Sequence, residues 1–175
     1  MTHGLSLAYL IVTPDGRLRH GESHYLCALG RGGIGTHKRE GDGVTPTGRY
    51  PIRRLLYRAD KLARPQSNLE ISAIQPNDGW CDDADDPAYN QAVTLPYDAS
   101  AESMWRDDGL YDLVVILGHN DDPVILGAGS AIFMHVASPG YGPTEGCVAL
   151  SKPDLLEVLQ ISDPDSEIEI LPENP

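Results

Sequence analysis

The chain has little of what membrane spans, disulfide scaffolds and nucleic-acid binders require. No stretch approaches the roughly 18 consecutive apolar residues of a transmembrane helix, so no membrane span is expected. Three cysteines, an odd number at widely separated positions, do not make a disulfide framework. Basic side chains are scarce: 13 Lys and Arg stand against 26 Asp and Glu, a formal net charge of −13. A chain this acidic repels phosphate, and nowhere do Lys or Arg interleave with aromatics, so no nucleic-acid partner is expected. The six histidines lack the short spacings of zinc sites, and no metal is expected. A secretory leader would need a basic start and a longer apolar run. Here Leu5 to Val12 runs straight into the turn Thr13-Pro14-Asp15-Gly16. As written the chain reads as cytoplasmic, and as periplasmic if its true N-terminus lies upstream.

What is present is glycine and proline. The 175 residues hold 18 Gly and 14 Pro against eight Tyr, two Trp and one Phe, with 41% apolar residues overall. That balance predicts many short strands and tight turns around one core, a mainly β sandwich with one or two helices. Residues 1–175 read as a single domain.

Strands are expected over Leu5 to Val12, His24 to Leu29 (as its hairpin partner), Tyr50 to Tyr57, Leu69 to Gln75, Leu110 to Gly118, Ala131 to Val136 and Cys147 to Leu150. Gly30 to Gly48 reads as a long ordered loop or short hairpin, and a short helix is expected over Ser100 to Arg106. Ser151-Lys152-Pro153-Asp154 signs the start of a final helix with the stripe Leu155, Leu156, Val158 and Leu159. Ser166 to Leu171, alternating apolar and acidic, should return as an edge strand.

Several motifs dissolve on inspection. Gly30-Arg31-Gly32-Gly33-Ile34-Gly35 has dinucleotide-fingerprint spacing, but no apolar helical stripe follows to hold a pyrophosphate. Asp82-Asp83-Ala84-Asp85-Asp86 lacks the turn glycine and distal Glu of a calcium loop and reads as a solvated loop. The basic cluster Arg53, Arg54, Arg58, Lys61 and Arg64 reads as a solvated strand-and-turn face, with a docking surface for an anionic substrate as the alternative.

One segment carries chemistry: an apolar strand ending on His135, a Pro/Gly loop, and a second apolar strand opening at Gly146-Cys147. If the strands are neighbours, the loop returns the thiol beside the imidazole. Proton transfer between them would give a thiolate, the stronger nucleophile. Gly146 removes side-chain bulk, so a carbonyl substrate could approach and meet backbone N–H donors. The plain alternative is a buried structural Cys and a satisfied core His.

With these residues on the page, the chain resembles the L,D-transpeptidase catalytic-domain family over most of its length. Thr45-Pro46-Thr47-Gly48-Arg49-Tyr50 is similar to the family's T-P-x-G-x-F/Y element, and His135 with Gly146-Cys147 to its His and S-H-G-C signature. Here the last four residues are Thr144-Glu145-Gly146-Cys147, with Glu145 in place of a second His, and Val136 follows the first. The resemblance implies a β-sandwich and two-step acyl transfer on a peptidoglycan stem peptide or muropeptide, without a cofactor. Cys147 would be the nucleophile, His135 its base, held by a backbone carbonyl just after it, with oxyanion donors near Gly146. Trp80, Tyr89, Asn90, Tyr141 and Thr144 are candidate substrate contacts, Glu145 is expected to face solvent, and Cys27 and Cys81 to pack, with Cys81, beside Trp80, a candidate for lying near the site. Two alternatives stay open: an L,D-carboxypeptidase trimming recycled or precursor stem peptides, and a non-catalytic peptidoglycan-binding module.

Overall fold

Period-two alternation sets the opening strands β1 (Tyr9–Thr13), β2 (Arg17–His20) and β3 (Ser23–Ala28). In β1, Leu10 and Val12 are fully buried while their neighbours are half-buried. The computed structural model describes residues 8–174, so the first three positions of the expected Leu5 to Val12 strand lie outside the described residues. The Pro14-Asp15-Gly16 turn does close a hairpin, but onto β2, where Val12 faces Leu18, and not onto His24 to Leu29. Sequence periodicity misses β2 because Leu18 is its only apolar residue. The His24 to Leu29 region instead forms β3, the next strand over.

Within the glycine-rich stretch, β4 (Ile34–Gly35) and β5 (Thr45–Pro46) make a two-residue parallel pair. No helix follows Gly30 to Gly35. The long strand β6 (Gly48–Tyr57) comes next, then β7 (Ile71–Ala73), β8 (Asp78–Cys81), β9 (Ala92–Thr94) and β10 (Ala101–Ser103). The last three form a small separate sheet in the order β10-β8-β9. The helix expected over Ser100 to Arg106 is absent, because Glu102 pairs antiparallel with Trp80. A helix of two turns without a cap is marginal in water, and ladder bonds to β8 win.

The chain then makes β11 (Leu113–Leu117), β12 (Phe133–Val136), β13 (Val148–Leu150), α1 (Lys152–Ile161) and β14 (Glu167–Ile170). The main sheet runs β11-β12-β13-β3-β2-β1-β14-β6-β7, and β11 also pairs with β6. It therefore closes on itself around one core, the mainly β architecture expected, with a single helix among the described residues. β14 is not an edge strand: it lies between β1 and β6, and its acids are accommodated partly by the Arg49–Glu167 ion pair.

Leu10, Leu18, Leu55, Leu113, Val115, Met134, Leu150 and Ile168 fill that core, and α1 adds Leu155, Val158 and Leu159. Ser151 caps α1 by accepting from the Asp154 N–H, with Pro153 in the first turn as expected. Arg58 departs from the solvated face read for its cluster. It is buried, clamps Asp60 through two guanidinium nitrogens, donates to the Arg106 carbonyl and stacks 3.5 Å over the Trp105 ring. A guanidinium stays buried when its donors find partners, and here they do. Buried Asp112, at the foot of β11, is held between Lys61 and Lys152, which ties the start of α1 to the sheet.

Leu155 is fully buried where α1 meets the core. Leu155→Ala should lower the unfolding free energy by about 2–5 kcal/mol, the range for opening a cavity under a helix. Urea denaturation followed by circular dichroism measures it, and a loss below about 1 kcal/mol would mean the site collapses freely.

Candidate active site

β12 and β13 are parallel neighbours, with Met134 opposite Val148 and His135 opposite Ala149. Continuing that register back one residue sets Cys147 beside Phe133, whose N–H donates to Sγ at 3.4 Å. His135 and Cys147 therefore project from the same face of adjacent strands, one pleat apart. Both line a cavity of about 190 Å³ with Glu102, Arg106, Tyr111 and Thr144.

The turn that delivers Cys147 is held from outside. Thr144 is bracketed by Leu29 and Arg31 through main-chain bonds of 2.9 and 2.8 Å. Its hydroxyl accepts from the Gly146 N–H at 3.1 Å and donates to the Cys147 carbonyl at 2.7 Å. Thr45 accepts from the Gly30 N–H at 2.8 Å, so the Thr-Pro-Thr-Gly element braces the strand on which Thr144 rests. Gly146 sits at φ +136°, and a Cβ there would come within 2.8 Å of the Val44 carbonyl. Protein backbone, not substrate, occupies the space this glycine leaves free.

His135 Nδ1 lies 2.9 Å from the Val136 carbonyl. That bond requires a proton on Nδ1 and leaves Nε2 as the basic nitrogen. The edge of Tyr111 packs against the imidazole at 5.4 Å. Burial lowers the His135 pKa, against the opposing pull of the Val136 carbonyl. Burial also pushes the Cys147 thiol up to about 12, partly offset by the Phe133 N–H. The resting pair is thus neutral thiol and neutral imidazole, and the thiol proton is donated to the Ala131 carbonyl at 3.2 Å. Ala131 is itself left-handed at φ +54°, fixed by its N–H to Asn90 Oδ1 at 3.0 Å.

Asn90 is therefore a hub, although it does not line the cavity. Its Oδ1 also accepts from the Trp80 indole at 3.0 Å, and its Nδ2 donates to the His119 and Asn120 carbonyls. Trp80 packs edge-on against Phe133 and lines a different cleft, with Arg53 and Arg54. Tyr89 is fully buried and donates to Glu40 at 2.6 Å. Tyr141 sits in the loop at φ +56° and lines neither cavity that contains Cys147. Of the five candidate substrate contacts, only Thr144 reaches the cavity. Glu145 is exposed, as expected, and its carboxylate meets Arg31 at 3.0 Å. Cys27 and Cys81 are buried free thiols that line neither cavity, although Cys81 adjoins Asp82, which lines one of them.

Sequence reasoning missed Glu102, Arg106 and Tyr111. The first two were hidden by the expected helix, while Tyr111, a polar aromatic opening a buried strand, was the available signal. Tyr111 donates to both oxygens of Glu102 at 3.1 and 3.2 Å. Arg106 lies 4.9 Å over the Tyr111 ring.

A family model described as YkuD, L,D-transpeptidase catalytic domain, matches residues 7–170. The chain belongs to this family. It aligns with an L,D-transpeptidase from Mycobacterium tuberculosis H37Rv at 11% identity over 95% of this chain and 58% of that one, with a TM-score of 0.46. L,D-transpeptidase 3 from Mycobacterium tuberculosis, solved with a faropenem-derived adduct, aligns at 13% identity over 94% and 60%, TM-score 0.45. The helical cell shape determining protein Pgp2 (K307A mutant) from Campylobacter jejuni aligns at 17% over 97% and 48%, TM-score 0.43. The chain spans about three fifths of the mycobacterial structures and about half of Pgp2. No curated protein sequence matches it.

Gly146→Ala should lose about 1–3 kcal/mol of stability from backbone strain alone, read from denaturant midpoints. An unchanged midpoint would mean that the turn relaxes around Val44. Iodoacetamide labelling of Cys147 in the free protein should accelerate steadily from about pH 7 to about pH 10, because burial keeps the thiol protonated. A plateau near neutrality, seen by mass spectrometry, would instead reveal a preformed thiolate–imidazolium pair.

Proposed function

We propose that this domain transfers acyl groups from peptidoglycan stem tetrapeptides through a thioester on Cys147. The observation that supports it best is the opening of Cys147 and His135 into one cavity from adjacent parallel strands, with His135 Nδ1 bound to the Val136 carbonyl. That bond aims the basic Nε2 away from the backbone and toward chemistry. In the first half-reaction the thiol proton passes to Nε2 as sulfur attacks the carbonyl of the third stem residue. The C–N bond to the terminal D-alanine breaks, and the imidazolium returns its proton to the departing amine. An amine from a second stem, or water, then takes the acyl group and restores the thiol. Because the resting pair is neutral, proton transfer is coupled to substrate attack and does not precede it. The Gly146 N–H is committed to Thr144, so the Cys147 N–H is the oxyanion donor this reading relies on.

Family membership favours transfer to an amine over a purely binding role. Disaccharide-tetrapeptide incubated with the protein should lose its terminal D-alanine, and Cys147→Ala should abolish the loss. Mass spectrometry separates the outcomes: a trimmed tripeptide marks hydrolysis, and a cross-linked dimer or D-amino-acid exchange marks transfer. Tetrapeptide recovered intact from folded wild-type protein would remove the stem peptide as substrate.

A further inference from the structure

Transfer to an amine has a proton requirement that one imidazole does not meet. An amine acceptor arrives at neutral pH as an ammonium ion, and its nitrogen must lose two protons to become an amide. One returns to the Cys147 sulfur by way of His135. The other needs a second base.

Cys147 lies between two cavities. The first, on the His135 side, is the one described above. The second, of about 220 Å³, is lined by Lys38, Glu40, Asp82 and Ser130. Four residues line both: Glu102, Tyr111, Glu145 and Cys147. Glu145 is exposed and engaged by Arg31, whereas Glu102 is held in place. Its backbone is fixed by pairing with Trp80, and its carboxylate is anchored by the Tyr111 hydroxyl, whose ring abuts His135.

We propose that Glu102 takes the first proton from the ammonium acceptor during resolution of the thioester, an inference that rests on the acyl-transfer reading above. The Glu102 carboxylate removes one proton from R–NH₃⁺ and becomes the neutral acid. The free amine attacks the thioester carbonyl, the C–N bond forms and the C–S bond breaks. The second nitrogen proton passes through His135 to the sulfur, restoring the thiol, and Glu102 releases its proton to solvent.

The electrostatics agree with this order of events. Burial raises the Glu102 carboxyl to about 7, opposed by the Tyr111 bond and Arg106 and reinforced by Asp82 and Glu40. Such a group exchanges protons readily near neutrality. Ionised, it opposes a thiolate at Cys147, toward which Lys38 and Arg106 pull the other way. Once the sulfur is acylated it carries no charge, and that repulsion ends when the carboxylate is needed.

The test uses the full chain, acylated by the tetrapeptide, with two acceptors. D-methionine presents an ammonium, while hydroxylamine is largely unprotonated at pH 7 and needs no first deprotonation. Glu102→Gln should slow transfer to D-methionine by about 10²-fold, the usual worth of a positioned base. Transfer to hydroxylamine should fall far less, and acylation should quicken above pH 7 as the opposing charge is gone. Glu102→Asp should recover part of the D-methionine transfer. Equal losses with both acceptors, no loss with D-methionine, or no recovery in Glu102→Asp would each overturn the assignment. Absence of any acyl-enzyme in the wild type would instead overturn the acyl-transfer reading itself.

Discussion

Two parallel strands joined directly in sequence must have their connection run back the full length of the first strand, and such returns commonly take a dozen or more residues. Between β12 and β13 the return is made in eleven, residues 137–147. A loop so short has few conformations left. The path uses Pro139 and Pro143, left-handed Gly140 and Tyr141, and Gly146 at a φ open only to glycine. Main-chain bonds from Ala137 to Leu150 and between Thr144 and the Leu29 to Arg31 segment then pin both ends. The thiol and the imidazole share a face because this connection permits no slack. Slippage of β13 by one residue would turn Cys147 to the opposite side of the sheet.

The same geometry sets the electrostatics. Placing a thiol at the root of a buried parallel pair removes water from it, which favours the neutral thiol and the neutral imidazole together. An exposed thiolate is reactive toward any electrophile, whereas burial here holds Cys147 toward the thiol form. The Ala131 carbonyl that accepts the thiol proton is positioned by Asn90, and Asn90 is held by Trp80. Trp80 and Asn90 therefore reach Cys147 through the Ala131 backbone, without facing the cavity it shares with His135.

This explains which parts were legible in the sequence. Strong apolar runs such as Val114 to Leu117 and the capped helix at Ser151 declare themselves through period and cap chemistry. So does the His135…Gly146-Cys147 pair, because a polar residue at each of two apolar strand ends is conspicuous. Arg17 to His20 does not, since its pairing partners and not its own residues make it a strand. Glu102 and Tyr111 were invisible as a unit: nine residues apart, they meet only because β10 pairs with β8 and β11 pairs with β6. Trp80 and Tyr89 read as candidate substrate contacts, yet both are buried, Trp80 against Phe133 and Tyr89 by its bonds to Glu40 and Gly129.

Glu145, in the place where the family's signature has a histidine, poses the remaining chemical question. Its side chain is mostly exposed and its partner Arg31 is half-exposed, so the ion pair contributes at most about 1 kcal/mol. Arg31 also donates to the Gly41 carbonyl, so the pair links the turn before Cys147 to the glycine-rich loop. A carboxylate lacks the ring N–H donors that an imidazole offers at this position. With Glu102 it places two acids at the junction of the cavities beside the nucleophile, opposed by Lys38 and Arg106. Under the proposed acyl transfer, such a junction favours a positively charged acceptor over an anionic one.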